Sequence, residues 1–195
     1  MSIRLMFYDN TNWTNGLTQS WFAGGSLYRT LRFIDYVKPV DSWEEALEWL
    51  CEVKPDEKIS TIQFWGHGSP GSFYINKKRV HVNTKKTEHL DGYVDELKER
   101  LAEDSMWWFR TCASFHGSEG RVFAQDWSNF FGCSAAGHTY NIGPLQSGLH
   151  SIHPGEKPSW SKEEGKNRKD GSILGSWFTA PNTITCLRGS IPRGW

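Results

Sequence analysis

Two short apolar runs most strongly limit what this chain can fold into. KISTIQFWG begins at Lys58 and SMWWFRTC begins at Ser105, and each carries apolar residues on both faces towards its end. Strands that are buried on both faces are typical of parallel sheets. Helical patterns alternate with strand patterns along the chain in the order β-α-β-α-β-hairpin-α-β-α-β. This order predicts an α/β fold, a three-layer α-β-α sandwich with a mainly parallel sheet and right-handed crossovers.

The helices are predicted from apolar spacing and from their end signals. Ser42 is placed to cap a helix over residues 41–53, with Glu45 three residues later as in a capping box. Further helices are expected after Gly25, over residues 88–102 and over residues 118–132, the last with Ser118 as its cap, Val122 on its apolar face and Gly132 as its stop. A hairpin is expected to turn at Lys77–Lys78.

The length of 195 residues favours a single domain. Residues 1–143 are predicted to form the core, and residues 144–195 a loop-rich C-terminal extension with one strand-like piece over Asn182–Leu187. Functional loops of α/β folds gather where strands end. We therefore expect Gly143–Ser172 to pack over the sheet edge as irregular structure that helps to shape the site.

Composition argues against several classes of function. Twenty-two basic and 22 acidic residues cancel, so no overall field draws the chain to nucleic acid or to an anionic membrane. No apolar run is long enough to span a bilayer, and the N-terminal segment lacks the features of a signal peptide. The four cysteines are scattered without a C-x-x-C pair, which predicts reduced thiols and a cytoplasmic location. The 11 tryptophans are expected mainly in packing.

The chemistry-bearing residues follow the two apolar runs. His67 stands between glycines after the first run, and Cys112 ends the second. If the two strands are neighbours, an imidazole and a thiol meet at one sheet edge, where a thiolate is favoured. His67 is then a proton acceptor and donor, and the N–H groups of Gly68 and Cys112 can stabilise an oxyanion. Otherwise His67 is a turn residue and Cys112 a small buried hydrophobe.

Other polar residues near these runs are weaker candidates. Arg110, Ser114, His116 and His138 are possible substrate-pocket residues, although His116 is more typical of a loop histidine. His138, His150 and His153 could join His67 or Cys112 around a metal ion. They lack the short paired spacing of familiar zinc sites, so neither a metal nor a cofactor is predicted. No glycine-rich segment has the form of a nucleotide-binding loop.

The segments WGHGSPG (residues 65–71) and RTCASFHGSEG (residues 110–120) resemble those of caspase-like, clan CD, cysteine peptidases. The similarity covers residues 59–143 and is closest to bacterial caspase-like domains of unassigned function. It implies a caspase-like sheet, a thiol endopeptidase that acts on a peptide or protein, His67 as base and Cys112 as nucleophile. The caspase signature Q-A-C-x-G is absent, since Ala113 and Ser114 follow Cys112, which leaves specificity open.

Two alternatives to a peptidase stay open at this point. One is a catalytically inactive caspase-like scaffold that binds a protein or ligand at the same sheet edge. The other is a metal-assisted hydrolase that uses His67, Cys112 and His138.

Overall fold

The computed structural model describes residues 2–11, 16–81, 90–143, 146–177, 182–183 and 191. Its strands are β1 (Ser2–Asp9), β2 (Tyr36–Val40), β3 (Lys58–Trp65), β4 (His67–Ser69), β5 (Ser72–Ile75), β6 (Lys78–His81), β7 (Leu101–Arg110), β8 (Ser134–His138) and β9 (Leu149–Ile152). Its helices are α1 (Leu17–Thr30), α2 (Trp43–Glu52), α3 (Asp91–Arg100) and α4 (Gly117–Phe131). No helix in these ranges is long and apolar enough to cross a bilayer.

Six strands form the main sheet in the order β2-β1-β3-β7-β8-β9. The first five are parallel, and β9 closes one edge antiparallel to β8. The predicted α/β class with a mostly parallel sheet is confirmed. β3 and β7 are direct neighbours, as predicted, and their register ends with Trp65 opposite Arg110. A second, three-stranded antiparallel sheet has the order β4-β5-β6.

Alternation along the strands separates the core into layers. On β1, Leu5 and Phe7 face the large core beneath α2, α3 and α4, whereas Met6 and Tyr8 face the smaller cluster beneath α1. This period of two places helices on both faces of the sheet. On the α1 side, Trp108 of β7 packs in a third small cluster formed by β7, β8, β9 and Ile191.

Tryptophans dominate the centre of the large core. Trp107 on β7 lies 6.1 Å from Trp43 and 5.0 Å from Trp127 between ring centroids, so the sheet, α2 and α4 meet at one aromatic cluster. Trp107 and Trp127 are fully buried. These rings contribute to packing, as expected for most of the tryptophans, because each removes a large apolar area from water.

The predicted start of the first helix is wrong. α1 begins at Leu17 and contains both Gly24 and Gly25, which the sequence suggested as its boundary. A Cβ on Gly24 would lie 2.5 Å from the Trp65 ring, and one on Gly25 would lie 3.0 Å from the Met6 side chain. The glycines therefore allow α1 to approach the sheet closely.

The predicted positions of the hairpin turn and of the start of α4 differ from the structure by one or two residues. The hairpin turns at Asn76–Lys77, one residue before the predicted position; both residues have positive φ, as a type I′ turn requires. α4 is capped at His116 instead of Ser118, while Gly132 ends it in the left-handed conformation as predicted. Val122 was expected on the apolar face, but its side chain is 56% exposed.

Two strands were not predicted. β4 contains His67 and pairs with β5, so this histidine lies on a short strand and not in a plain turn. β9 falls within the segment that was expected to be irregular, because Leu149–Ile152 adds to the sheet edge beside β8. Of the predicted strand piece over Asn182–Leu187, only Asn182 and Thr183 are described; Asn182 forms a single bridge with Ser147.

Side chains complete both ends of α2. The Ser42 hydroxyl accepts a hydrogen bond from the Glu45 N–H, which confirms the predicted cap. At the other end, the buried Arg100 guanidinium donates to the main-chain carbonyls of Leu50, Cys51, Val53, Lys54 and Glu57. Carbonyls at a helix C-terminus have no partner within the helix, and a cation there is favourable.

Arg100→Met should therefore lower the free energy of unfolding by about 3 kcal/mol, because several buried carbonyls lose a charged donor. Urea unfolding followed by circular dichroism measures this change. Arg29→Met, at an exposed position in the last turn of α1, is the control and should change stability by less than about 0.5 kcal/mol. Similar losses in the two variants would contradict the role of Arg100.

Candidate functional site

His67 and Cys112 are brought to the same end of the sheet by β3 and β7. The last register pair is Trp65 opposite Arg110, and each candidate residue follows two positions later. The two segments touch through their main chains. A Cβ built on Gly68 would lie 2.5 Å from the Cys112 carbonyl oxygen and 2.6 Å from Thr111 Oγ1. The absence of a side chain at Gly68 is thus a steric requirement of this contact.

The direction of the Gly68 N–H follows from the pairing of the small sheet. β5 lies between β4 and β6, and an antiparallel strand bonds alternately to either side. The two-residue turn Asn76–Lys77 joins Ile75 to β6. The main-chain groups of Ile75, and by alternation those of Phe73, therefore form their hydrogen bonds with β6. Gly68 is opposite Phe73. Its N–H is therefore expected to point away from β5.

The turn that follows Cys112 is held tightly from outside. Ala113 has a φ of 49°, the left-handed region that non-glycine residues rarely adopt. Its N–H donates to Tyr140 O at 2.8 Å, and the Phe115 N–H donates to His138 O at 3.0 Å. Such backbone strain persists only where the surroundings impose it, and it concentrates at functional sites. The loop after β8 thus fixes the main chain beside the thiol.

Cys112 is a half-buried free thiol. Its S–H donates to Ile142 O at 3.6 Å, and burial raises the pKa of the thiol. This direction is opposite to the thiolate that the sequence led us to expect. In this conformation Cys112 is protonated at neutral pH, and it needs a base to become a nucleophile.

His67 is half-buried and lies against α1. Its ring is nearly perpendicular to that of Trp21, with 5.6 Å between the ring centroids. Trp21 also packs against the small aromatic cluster beneath α1, so it forms a wall beside the imidazole. The sequence did not predict this neighbour, because only the crossover of α1 brings residue 21 to the end of β3.

Arg110, which the sequence suggested as a possible pocket residue, is buried. It is 6% exposed, and its Nε and Nη2 donate to Gln146 Oε1 at 3.1 and 2.9 Å. Its guanidinium lies 3.8 Å from the centroid of the Trp65 ring, and burial lowers the pKa of Arg110. A cation over an aromatic face is stabilised by the ring quadrupole. Arg110 therefore ties the end of β7 to the segment that precedes β9.

The other three proposed pocket residues are buried as well. Ser114 and His138 have no exposed surface, and His116 has almost none. His116 Nδ1 lies 3.0 Å from Thr139 O, and His138 Nδ1 lies 3.1 Å from Ser147 O. These side chains support the loops behind Cys112 and leave little surface for a substrate, so their assignment as substrate-pocket residues stays a prediction.

The histidines considered as metal ligands each lie against a different partner. His150 Nε2 lies 2.8 Å from Glu164 Oε2, and His153 Nδ1 lies 2.8 Å from Ser134 Oγ at the other end of the sheet. Within the described ranges, no three histidine, cysteine or acidic side chains come together in a group that could hold a metal ion. The set His67, Cys112 and His138 is not such a group.

The C-terminal segment (residues 153–177) packs against the loop that holds Cys112. Trp160 stacks between Phe115 and His150, at centroid distances of 5.4 and 4.9 Å. The Asn141 N–H donates to Leu174 O, and Asn141 O accepts from the Ser176 N–H. Since Asn141 precedes Ile142, whose carbonyl accepts the S–H hydrogen bond of Cys112, this segment contributes to the walls of the site.

The Glu164 carboxylate fastens the same segment to the sheet edge. It accepts from His150 and from the Thr139 hydroxyl, the latter at 3.1 Å. Burial alone would raise the pKa of Glu164, but these hydrogen bonds outweigh burial and lower the pKa. Glu164 is thus ionised at neutral pH.

Gly68→Ala tests the main-chain contact. Because the added methyl group would meet backbone atoms, β4 and the Cys112 turn must separate, and the rate of Cys112 alkylation by iodoacetamide should change at least about threefold. Gly92→Ala is the matched control, since its methyl group meets nothing within 4 Å and should leave the rate unchanged. Equal rates in Gly68→Ala and the wild type would show that the contact is not tight.

His138 should make stability depend on pH. Burial lowers the pKa of His138 to about 3, from an ordinary value of 6.5. Below 6.5 the unfolded chain takes up a proton that the folded protein excludes, so stability falls as the pH drops towards 3. Between pH 7 and pH 5, the wild type should lose about 2 kcal/mol more than His138→Gln in urea unfolding.

The control for this measurement is His153→Gln, which leaves the buried imidazole in place and should keep the wild-type pH dependence. In NMR spectra of the wild type, the His138 ring should stay neutral at pH 5. A protonated ring at that pH, or identical pH slopes for His138→Gln and the wild type, would contradict the effect of burial.

Comparison with known proteins identifies one related family. Residues 28–150, more than half of the chain, match a family model described as Domain of unknown function (DUF4347). The matched range begins in α1, includes His67 and Cys112, and ends in β9. No curated protein matches the chain.

Proposed function

The chain belongs to the DUF4347 family, whose function is unknown, and we propose from its site that it is a cysteine hydrolase of caspase-like build. We propose that it acts as an endopeptidase on a peptide or protein, without a cofactor. The observation that supports this most is the contact between Gly68 and the Cys112 main chain at the adjoining ends of β3 and β7. The strand that carries His67 therefore touches the main chain of the residue that carries the thiol.

The first half of the reaction forms an acyl-enzyme. His67 accepts the Cys112 S–H proton, and the sulfur attacks the scissile carbonyl carbon as the C=O π pair moves to oxygen. The Ala113 N–H is already used by Tyr140 O, which leaves the N–H groups of Gly68 and Cys112 as oxyanion donors. When the intermediate collapses, the C–N bond breaks, His67 gives its proton to the amine, and a thioester forms.

The second half releases the acid. Water gives a proton to His67 as its oxygen attacks the thioester carbonyl, and the C–S bond then breaks. The sulfur takes the proton back from His67, so the thiol is regenerated and a carboxylic acid leaves. The net reaction adds one water across one amide bond.

The surroundings of Cys112 and His67 support the roles of nucleophile and base that we propose for them. The thiol begins as an S–H bonded to Ile142 O, so the base must act as the nucleophile attacks. Trp21 limits the positions of the His67 ring, which favours one proton-transfer geometry. The strained turn at Ala113 holds the Cys112 N–H in a fixed direction.

Two observations at Cys112 favour a second candidate function. The raised pKa of Cys112 and its bond to a main-chain carbonyl are also what an inactive caspase-like scaffold would show. Such a scaffold would bind a protein or ligand at the same sheet edge. No comparable observation favours a metal-assisted reaction.

We also propose that the protein works in the cytoplasm. Cys51, Cys112 and Cys133 are free thiols, which suits a reducing compartment. Cys186 lies outside the described residues.

Substitution of either member of the pair tests the peptidase proposal. Cys112→Ala and His67→Ala should each lower kcat/KM by at least about 10³-fold on substrates found in a peptide-library cleavage screen, because a covalent pair acts as a unit. His153→Ala, which removes a histidine at the opposite end of the sheet, should retain wild-type activity. Circular dichroism checks that each variant is folded.

Alkylation of the thiol separates the two candidate functions. In a peptidase, iodoacetamide should modify Cys112 faster in the wild type than in His67→Ala, because the imidazole assists formation of the thiolate. In an inactive scaffold the two rates are equal and no peptide is cleaved. Wild-type turnover by Cys112→Ala would overturn the covalent mechanism.

A further inference from the structure

A groove runs across the outer face of α4. It consists of two cavities of about 370 and 260 Å³, whose linings share Ser118 and Val122. One cavity extends towards β6, and the other towards residues 157–158. Neither lining includes His67 or Cys112. We call this feature the α4 groove.

The centre of the α4 groove is formed by an apolar side chain that is not part of the core. Val122 continues the apolar pattern of α4, yet it points outwards and borders both cavities. A single exposed apolar side chain on a helix is normal in a folded protein. Because Val122 lies between two cavities, it offers a contact surface to a partner.

Cationic side chains stand on both sides of Val122. Arg79 of β6 borders one cavity, and Arg121 and Lys157 border the other. Arg79 donates to Pro70 O at 3.3 Å, and Arg121 donates to Pro158 O at 3.1 Å. Main-chain carbonyls fix the direction of a guanidinium without neutralising its charge, so these groups are positioned to meet an anion.

The acidic residue in the lining does not cancel this charge. Glu119 lies 3.8 Å from Arg79, and its side chain is 73% exposed. An exposed pair at this distance is weak, since water and salt screen it. Arg79 can therefore exchange Glu119 for a carboxylate of a bound partner.

We propose that the α4 groove binds an acidic peptide segment of a partner protein, with one apolar residue seated on Val122 and carboxylates on both sides of it. Charge complementarity selects the occupant, because the linings of the two cavities carry three cationic groups against one anionic group. The linings of the two cavities contain neither His67 nor Cys112, so the proposal for the α4 groove does not rest on the peptidase proposal.

Methyl NMR with three short peptides tests this site. The first carries a central leucine flanked by glutamates, the second replaces the glutamates by glutamine, and the third replaces the leucine by serine. The first should shift the Val122 methyl signals in a saturable way, with an affinity at least about fivefold higher than either of the others. Added salt should weaken its binding, because exposed ion pairs are screened.

Charge-reversal variants test whether Arg79 and Arg121 bind the peptide. Arg79→Glu and Arg121→Glu should each weaken binding of the first peptide at least about fivefold, whereas Arg168→Glu, on the exposed loop between β9 and residue 177, should not change it. Saturable shifts that are the same for all three peptides, or an affinity unchanged by Arg79→Glu and Arg121→Glu, would overturn the proposal. Concentration-dependent Val122 shifts without peptide would instead indicate a second copy of this chain as the occupant.

Discussion

The parallel pairing of β3 with β7 is the constraint on which the rest of this structure depends. It buries Trp107 and Phe109 against three helices on one side and places Trp108 on the other. Because parallel strands end at the same sheet edge, it also brings the segments that follow, with His67 and Cys112, into main-chain contact. Core packing and the candidate site thus share one cause.

The Cys112 side of the site is held by residues far away in sequence. The loop after β8 accepts the Ala113 N–H and the Cys112 S–H, and residues 174–176 bond to that loop in turn. Behind it, Arg110 binds Gln146, and the Thr183 hydroxyl donates to the same Gln146 oxygen. A buried polar group without a hydrogen-bond partner destabilises the folded state. These hydrogen bonds therefore fix the relative positions of the loops they join.

Much of the fold could be predicted from local patterns. The Ser42 cap, the Gly132 stop and the strands with two buried faces depend on side chains within a few residues of one another. The adjacency of β3 and β7 followed from their shared character and the helix between them. The start of α1 was missed because Gly24 and Gly25 look like a boundary, although they are there for contact with Trp65 and Met6.

The sequence by itself determined the class of fold, the alternation of strands and helices, and the two strand ends that carry a histidine and a cysteine. These depend on hydrophobic period and turn chemistry, which are local. Only the tertiary structure decided that Arg110, Ser114 and His138 are buried, that Trp21 lies beside His67, and that Val122 faces outwards. The environment of a side chain depends on which distant segments cover it, and a one-dimensional pattern does not contain that information.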